Sequence, residues 1–443
     1  MPRPSWPSLC LALTLIVSPP ASALPGAACP EAVGISSQRL ASLENTMRGI
    51  VDEGLAAGVV TYVARHGQVA YLDGVGMADI EAGAPMRPDT MFRIASQTKA
   101  VTSVAVMMLV EEGRIGLSDP LSRYLPSFAN TQVAVPRNEV AEGERRYETV
   151  PARRPITIRD LLTHTSGVPY GFGPTAAEWL AAGAAGGYYA DRAEPMAELV
   201  ERMAGLPIDA QPGERWVYGN STDILGVVVE IVAGMSLDEF FRERIFQPLK
   251  MHDTYFFVPA EKAHRLAGVY AATAEGLRRG DGPSPVDGQG HFAAGPRMAF
   301  AGGSGLVSTA MDYGRFLQMI LNGGTLDGVR LLAPATVELM RTNHVGRLFE
   351  EAVPDRPGLG FGLGFAVMLD PGVAGRYGSP GSFGFAGAYY TTYWLDPTES
   401  LVAQFFVQLR PTRDTGLHSR FWTLVYQAIT EPSAAGVAES RCH

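Results

Sequence analysis

The chain has 443 residues and a formal net charge of −9, from 36 basic and 45 acidic residues. That balance argues against a nucleic-acid surface, and the length is ample for a large core or two sub-domains in one compact unit. With three cysteines, no Cys-x-x-Cys and no closely spaced histidine pair, nothing indicates a metal site.

Taken from the N-terminus, Arg3, the apolar run LCLALTLIV at 9–17 and the small residues Ala21 and Ala23 have the three regions of a secretory signal, read here as residues 1–23. The run is too short to span a bilayer. The expectation is an exported protein, periplasmic or secreted, with no stable membrane insertion after cleavage. Cys10 leaves with the leader, so Cys29 and Cys442 remain near the two ends of the mature chain, either paired or as two isolated thiols.

Leu40, Leu43, Met47 and Ile50/Val51 recur at helical spacing and predict a helix over 37–55. Runs at 58–67 and 68–76 read as two strands joined across His66-Gly67. After Ser96 the stretch QTKAVTSVAVMMLVEEGR predicts a helix with Val101, Val104, Met108 and Val110 turned inward and Gly113 to end it. Two segments read as surface insertions: 137–155, charged and aperiodic, and 275–295, rich in Gly, Pro and Asp. Tyr218-Gly219-Asn220 sits in a loop that opens an apolar helix, and glycines 378, 381, 384 and 387 precede a strand. Strands at 388–397 and 401–409 flank Asp396-Pro397, and a helix at 418–430 closes the chain. Helix and strands thus lie at both ends, with mostly helix and loop over roughly 100–310. The simplest arrangement is an α+β fold, an antiparallel sheet built from both ends with a helical sub-domain inserted.

Only three lysines, Lys99, Lys250 and Lys262, occur among the basic residues, and one of them stands three positions after Ser96 in FRIASQTKAV. Residues three apart on a helix share a face, so Lys99 can reach the Ser96 hydroxyl. An arginine cannot release its proton in a protein, whereas a buried lysine can serve as a base. Ser96 also falls at a helix start, where free N–H groups favour negative charge. Tyr218 is a candidate proton shuttle, Asn220 an amide able to hold both an ammonium and a substrate carbonyl, and the glycine-rich stretch a place where main-chain N–H groups can meet an oxyanion. Each has a plain structural alternative as cap, packing residue or tight turn.

These three motifs, in this order, with the connectors ITIRDLLTHTSGVP, FQPLKMHDT and AGGSGLVSTAMDYGRFLQMILNGG, resemble the serine hydrolases related to class C β-lactamases, which include penicillin-binding carboxypeptidases and β-lactamase-like esterases. The resemblance spans about 35–430 and implies the β-lactamase/transpeptidase-like fold within a single hydrolase domain at 24–435. Its α/β part would comprise about 35–100 and 305–432, its helical part about 101–304. By the same resemblance Ser96 is the nucleophile, Lys99 its basic partner and Tyr218 the catalytic tyrosine. Asn220, Phe385, Gly387 and Ala388 contact substrate, whereas His164 and Ser304 are structural. First and last helices side by side would let Cys29 and Cys442 meet.

The chain departs from the family pattern in the third motif. Where members that handle β-lactams or D-alanyl peptides carry Lys-Thr-Gly or His-x-Gly, it has Phe385-Ala386-Gly387. An aromatic cannot pair with a substrate carboxylate. The resemblance therefore implies a carboxylesterase acting on small neutral esters, without cofactor or metal. The alternatives are a D-alanyl-D-alanine carboxypeptidase, amide hydrolase or β-lactamase, and a non-catalytic binder of cell-wall peptide.

Overall fold

Ser36 accepts a hydrogen bond from the Arg39 N–H at 3.3 Å and starts helix α1 (Ser37–Asp52), whose buried stripe is Leu40, Leu43, Met47 and Ile50. The chain is described by a computed structural model over residues 29–137, 146–280, 289–410 and 416–431. The leader at 1–23 and Cys442 lie outside the described residues. Cys29 is disulfide-bonded.

After α1 come β1 (Gly58–Arg65), β2 (Gln68–Asp79) and β3 (Ala84–Pro85), and from the C-terminal part β4 (Leu359–Phe361), β5 (Ala366–Met368), β6 (Phe383–Ala386), β7 (Thr392–Asp396) and β8 (Leu401–Phe406). They form one antiparallel sheet in the order β4-β5-β6-β7-β8-β1-β2-β3. The two ends of the chain join where β1 pairs with β8, Val60 opposite Phe406 and Ala64 opposite Val402.

Side-chain alternation on β1 feeds two cores. Val59 and Val63 pack with α1 and with Phe421 and Val425 of the last helix, α5 (Leu417–Gln427). Val60, Tyr62 and Ala64 face the larger core with Tyr313 and Phe316 of α4 (Ala310–Leu321). As the resemblance implied, α1 and α5 lie together, and Arg39 donates to the Gln427 carbonyl at 3.1 Å. Helices α2 (Thr98–Glu111) and α3 (Ser221–Ala233) pack against each other on the side of the larger core.

Three expectations need correction. Helix α2 has no single inward stripe: every residue from Thr98 to Leu109 is buried, because α3, the short helix Leu237–Phe241 and the rest of the larger core enclose it. The charged segment 137–155 contributes a strand, Tyr147–Pro151, paired with Gln132–Pro136, and within 275–295 the stretch Gly276–Arg279 pairs with Tyr270–Thr273. The glycine-rich stretch is not merely a turn before a strand but holds β6, inside the sheet between β5 and β7.

Arg65, 1% exposed at the end of β1, ties the termini to the sheet. Its guanidinium donates to the carbonyls of Val33 (3.1 Å), Gly34 (3.0 Å), Glu399 (3.1 Å) and Glu431 (2.6 Å) and to the Glu399 carboxylate (2.9 Å). Arg65→Met is expected to lower unfolding stability in urea by roughly 2–3 kcal/mol, less than the about 3–5 kcal/mol of a fully buried pair because Glu399 is partly solvated. Arg65→Lys should fall between, since one ammonium cannot make five directed bonds. An unchanged urea midpoint for Arg65→Met would contradict this role.

Candidate active site

The turn that bears Ser96 is clamped from below. Phe92–Arg93 pairs with Val307–Ser308, the Ile94 N–H donates to the Leu306 carbonyl at 3.0 Å, and the buried Arg93 guanidinium donates to the Ala267 carbonyl at 2.6 Å. Ala95 then takes φ 45°, a left-handed value that costs a non-glycine residue energy, and its buried methyl packs with Val269 and Tyr389. Ser96 follows in a single 3-10 turn, Ala95–Gln97, that runs into α2. From Thr90 to Leu109 it is the one residue that is not buried.

Lys99 is 2% exposed, and its three N–H donors go to three acceptors: Ser96 Oγ at 3.3 Å, the Tyr170 hydroxyl at 2.8 Å and the Gly303 carbonyl at 2.7 Å. Its ammonium also lies 4.8 Å from the ring centroid of Tyr218 and 5.3 Å from that of Tyr170. Asp223, the one charge in the first turn of the apolar α3, accepts from the Gly303 N–H at 2.9 Å, and its other oxygen is buried without a partner. Gly303 is thus a spacer with its N–H on the carboxylate and its C=O on the ammonium. A Cβ there would sit 2.4 Å from Asp223 Oδ2. Burial lifts the Asp223 carboxyl to about 6, and the Lys99 charge works against that rise. Burial, followed by the nearby Asp223 and Tyr218, pushes the Tyr170 phenol well above its usual range, so it stays protonated.

Tyr218 presents a buried hydroxyl with no hydrogen-bond partner among the described residues. Its ring stacks on Trp216 at 5.5 Å and meets His164 at 4.8 Å and Phe385 at 5.8 Å. His164 is buried, and desolvation followed by the Lys99 charge holds its imidazole well below its usual range, so it stands there neutral. Its carbonyl accepts from the Val217 N–H at 2.7 Å, which aligns the segment carrying Tyr218.

The expectation that Asn220 holds the ammonium is not met. Its amide donates to the carbonyls of Pro169 (2.9 Å) and Ala184 (2.8 Å) and accepts from the Tyr189 hydroxyl (2.7 Å), so its polar atoms are committed to fastening the 169–189 loop. Gly387 also works differently from the sequence reading. A Cβ there would clash with the Ile94 carbonyl, so the glycine lets the β6–β7 hairpin close onto the turn that bears Ser96. Ala388 follows it, packed near Ala95, and among the described residues the N–H groups of Ser96 and Ala388 have no acceptor.

The structure therefore gathers Ser96, Lys99, Tyr218, Phe385, Gly387 and Ala388 around one opening and sets Asn220 behind it. Tyr170, Gly303 and Asp223 were missed. An acid inside STDILGVVVEIV was a visible signal for Asp223; Tyr170 and Gly303 have none in their spacing.

A family model described as Beta-lactamase matches residues 43–427. Protein Rv1367c of Mycobacterium tuberculosis is 39% identical over 391 residues, covering 83% of this chain and 89% of that protein. Esterase EstB of Burkholderia gladioli is 34% identical over 379 residues, covering 80% and 88%. Among solved structures, EstCE1, described as a hydrolase with promiscuous acyltransferase activity, aligns with a TM-score of 0.72 at 28% identity, covering 89% of this chain and 99% of that one.

Because the folded Asp223 carboxyl, at about 6, lies above the ordinary range of an aspartate carboxyl, the folded state binds this proton more tightly than the unfolded state. Its contribution is destabilising above pH 6 and is relieved as pH falls through 6 toward 4. Asp223→Asn should remove part of the stability that the protein gains between pH 7 and pH 5, leaving the part due to Asp312, a second buried carboxyl raised to about 6. Urea unfolding at both pH values checks this; an identical gain in both proteins would refute the assignment.

Proposed function

The chain belongs to the Beta-lactamase family and is a serine hydrolase, and from that premise we propose that it is an exported carboxylesterase of small neutral esters working through an acyl-enzyme on Ser96. The observation that carries the reading is the buried Lys99, one hydrogen bond from the only opened side chain of its segment, its other bonds going to neutral oxygens of Tyr170 and Gly303. As the neutral amine, Nζ accepts the Ser96 proton while Oγ attacks the ester carbonyl. The N–H groups of Ser96 and Ala388 receive the oxyanion. The unpartnered Tyr218 hydroxyl passes a proton to the leaving alkoxide, and water enters by the reverse path to release the acid. Protonated Tyr170 and the Gly303 carbonyl keep Nζ in place throughout.

Phe385 supports the choice of neutral esters. It puts a ring against Tyr218 where relatives that take carboxylated substrates carry a cation, and a buried carboxylate without a partner is costly. The acyl-enzyme is indifferent to its acceptor, and the likeness to EstCE1 supports transfer to an alcohol as a side reaction. Export rests on the N-terminal charge and apolar run together with the disulfide-bonded Cys29, a state typical of oxidising compartments.

Ser96→Ala should lower kcat on a short-chain p-nitrophenyl ester by about a thousandfold or more with an unchanged melting temperature. Lys99→Arg should be nearly as damaging, because a guanidinium keeps its proton. Mass spectrometry of a quenched reaction should find the acyl group on the Ser96 peptide. Near-normal turnover by Ser96→Ala would end the assignment, and an active Lys99→Arg would reduce the lysine to a fixed charge.

Substrate class is tested at Phe385. The unaltered enzyme should show a much higher kcat/KM for the p-nitrophenyl ester than for nitrocefin or a D-alanyl dipeptide. Phe385→His or Phe385→Lys should raise the nitrocefin-to-ester ratio by about tenfold or more, the worth of one charge-assisted hydrogen bond. Efficient nitrocefin hydrolysis by the unaltered enzyme would overturn the preference for neutral esters and leave the Ser96 chemistry standing.

A further inference from the structure

Strand β6 separates two differently furnished spaces. The side chain of Phe385 turns toward Tyr218, whereas its neighbours Gly384 and Ala386 pair with Trp394 and Thr392 and share the face that carries α5. On that second face, between β6, β7, the segment 371–378 and α5, lies a cavity of about 650 Å3. Its volume falls in the range of about 300–1,000 Å3 typical of small-molecule sites.

The lining is apolar at the floor and cationic at the rim. Leu359, Ala366, Trp394 and Trp422 supply the apolar surface, and Arg356 and Arg376 stand over it. Arg376 lies across Trp394, its guanidinium carbon 4.8 Å from the ring centroid, and keeps part of its surface open to solvent. Desolvation and, after it, the neighbouring Arg356 charge lower its guanidinium to about 10.

Neither arginine side chain has an ion pair or a hydrogen bond among the described residues. The nearby acids are already engaged. Asp370 caps the turn at Pro371 through the N–H groups of Gly372 and Val373, and Asp396 accepts from the Tyr426 hydroxyl at 2.8 Å and the Ser379 N–H at 2.9 Å. Two like charges near each other at the rim of an apolar floor suit an anion with an apolar body.

We propose that this cavity is a second ligand site, for an amphiphilic monocarboxylate whose chain or ring lies on Trp394 and Trp422 and whose carboxylate is held by Arg356 and Arg376. The side chains that furnish it come from Trp394, Trp422 and the two arginines, on the face of β6 and β7 that carries α5; Phe385 borders both this cavity and Tyr218, and binding here requires no chemistry at Ser96. Arginine suits the task because its planar fork matches a carboxylate, and its stacking on Trp394 pre-orders it.

The test uses isothermal titration calorimetry with the Ser96→Ala protein, in which no ester chemistry can intervene. Decanoate is expected to bind with one-to-one stoichiometry, and decan-1-ol about tenfold more weakly or not at all. Arg376→Gln and Arg356→Gln should each weaken decanoate by about tenfold. Ser419→Trp, a change at an exposed α5 position on the cavity wall, should block it while preserving the circular dichroism spectrum. Equal affinity for decanol, unchanged decanoate affinity in both arginine variants, or undiminished binding in Ser419→Trp would each overturn the proposal.

Discussion

A single ammonium inside a helix buried on every side constrains the rest of this structure. Lys99 sits in the first turn of α2, in a run where Ser96 alone is open, so the desolvation of its charge has to be offset locally. Three oxygens do so, and they come from three separate parts of the chain: Ser96 beside it, Tyr170 in the loop fastened by Asn220, and Gly303 in the segment leading to the strand under Arg93. The negative charge that balances the cation, Asp223, is one residue removed, behind Gly303. A carboxylate in direct contact would take one of the ammonium's hydrogen bonds; one displaced by a glycine contributes field and leaves those bonds to neutral oxygens.

Much of this was legible in the sequence, for identifiable reasons. Period-3.6 and period-2 patterns located α1, β1, β2, β8 and α5 because each buries one face or two in a regular way. The pairing of both chain ends into one sheet followed from where those elements lie. Ser96, Lys99 and Tyr218 could be read because a rare lysine and ordered motifs carried them. The stripe assigned to α2 was too narrow because a helix enclosed by other elements has no polar face to contrast with its apolar one. Tyr170 escaped because what matters is its contact with Lys99, 71 positions away, and no local pattern records such a contact. Asn220 misled for the opposite reason: an amide next to the right tyrosine looked like a ligand contact, while its bonds go to the loop behind.

Strand β6 owes its glycines to backbone approach more than to substrate. Gly387 places the hairpin against the Ile94 carbonyl, which brings the Ala388 N–H beside the turn carrying Ser96. Because the Ala95 φ is held by packing from Val269 and Tyr389, and Tyr389 belongs to that same hairpin, the strain at the nucleophile and the position of the hairpin are one property. A shift of either would move the Ser96 and Ala388 N–H groups relative to each other.

The aromatic shell completes the electrostatic argument. Trp216, His164, Phe361 and Phe385 surround the region of Tyr218 with rings, and the imidazole among them is neutral. These rings exclude water without adding charge, so the field at Tyr218 is set mainly by Lys99 across its face. A cation in place of Phe385 would stabilise an incoming carboxylate, but in the empty site it would repel Lys99 through a medium of low dielectric. With a ring there, Lys99 is the one cation beside Ser96 among the described residues, the condition under which the proposed preference for uncharged esters would hold.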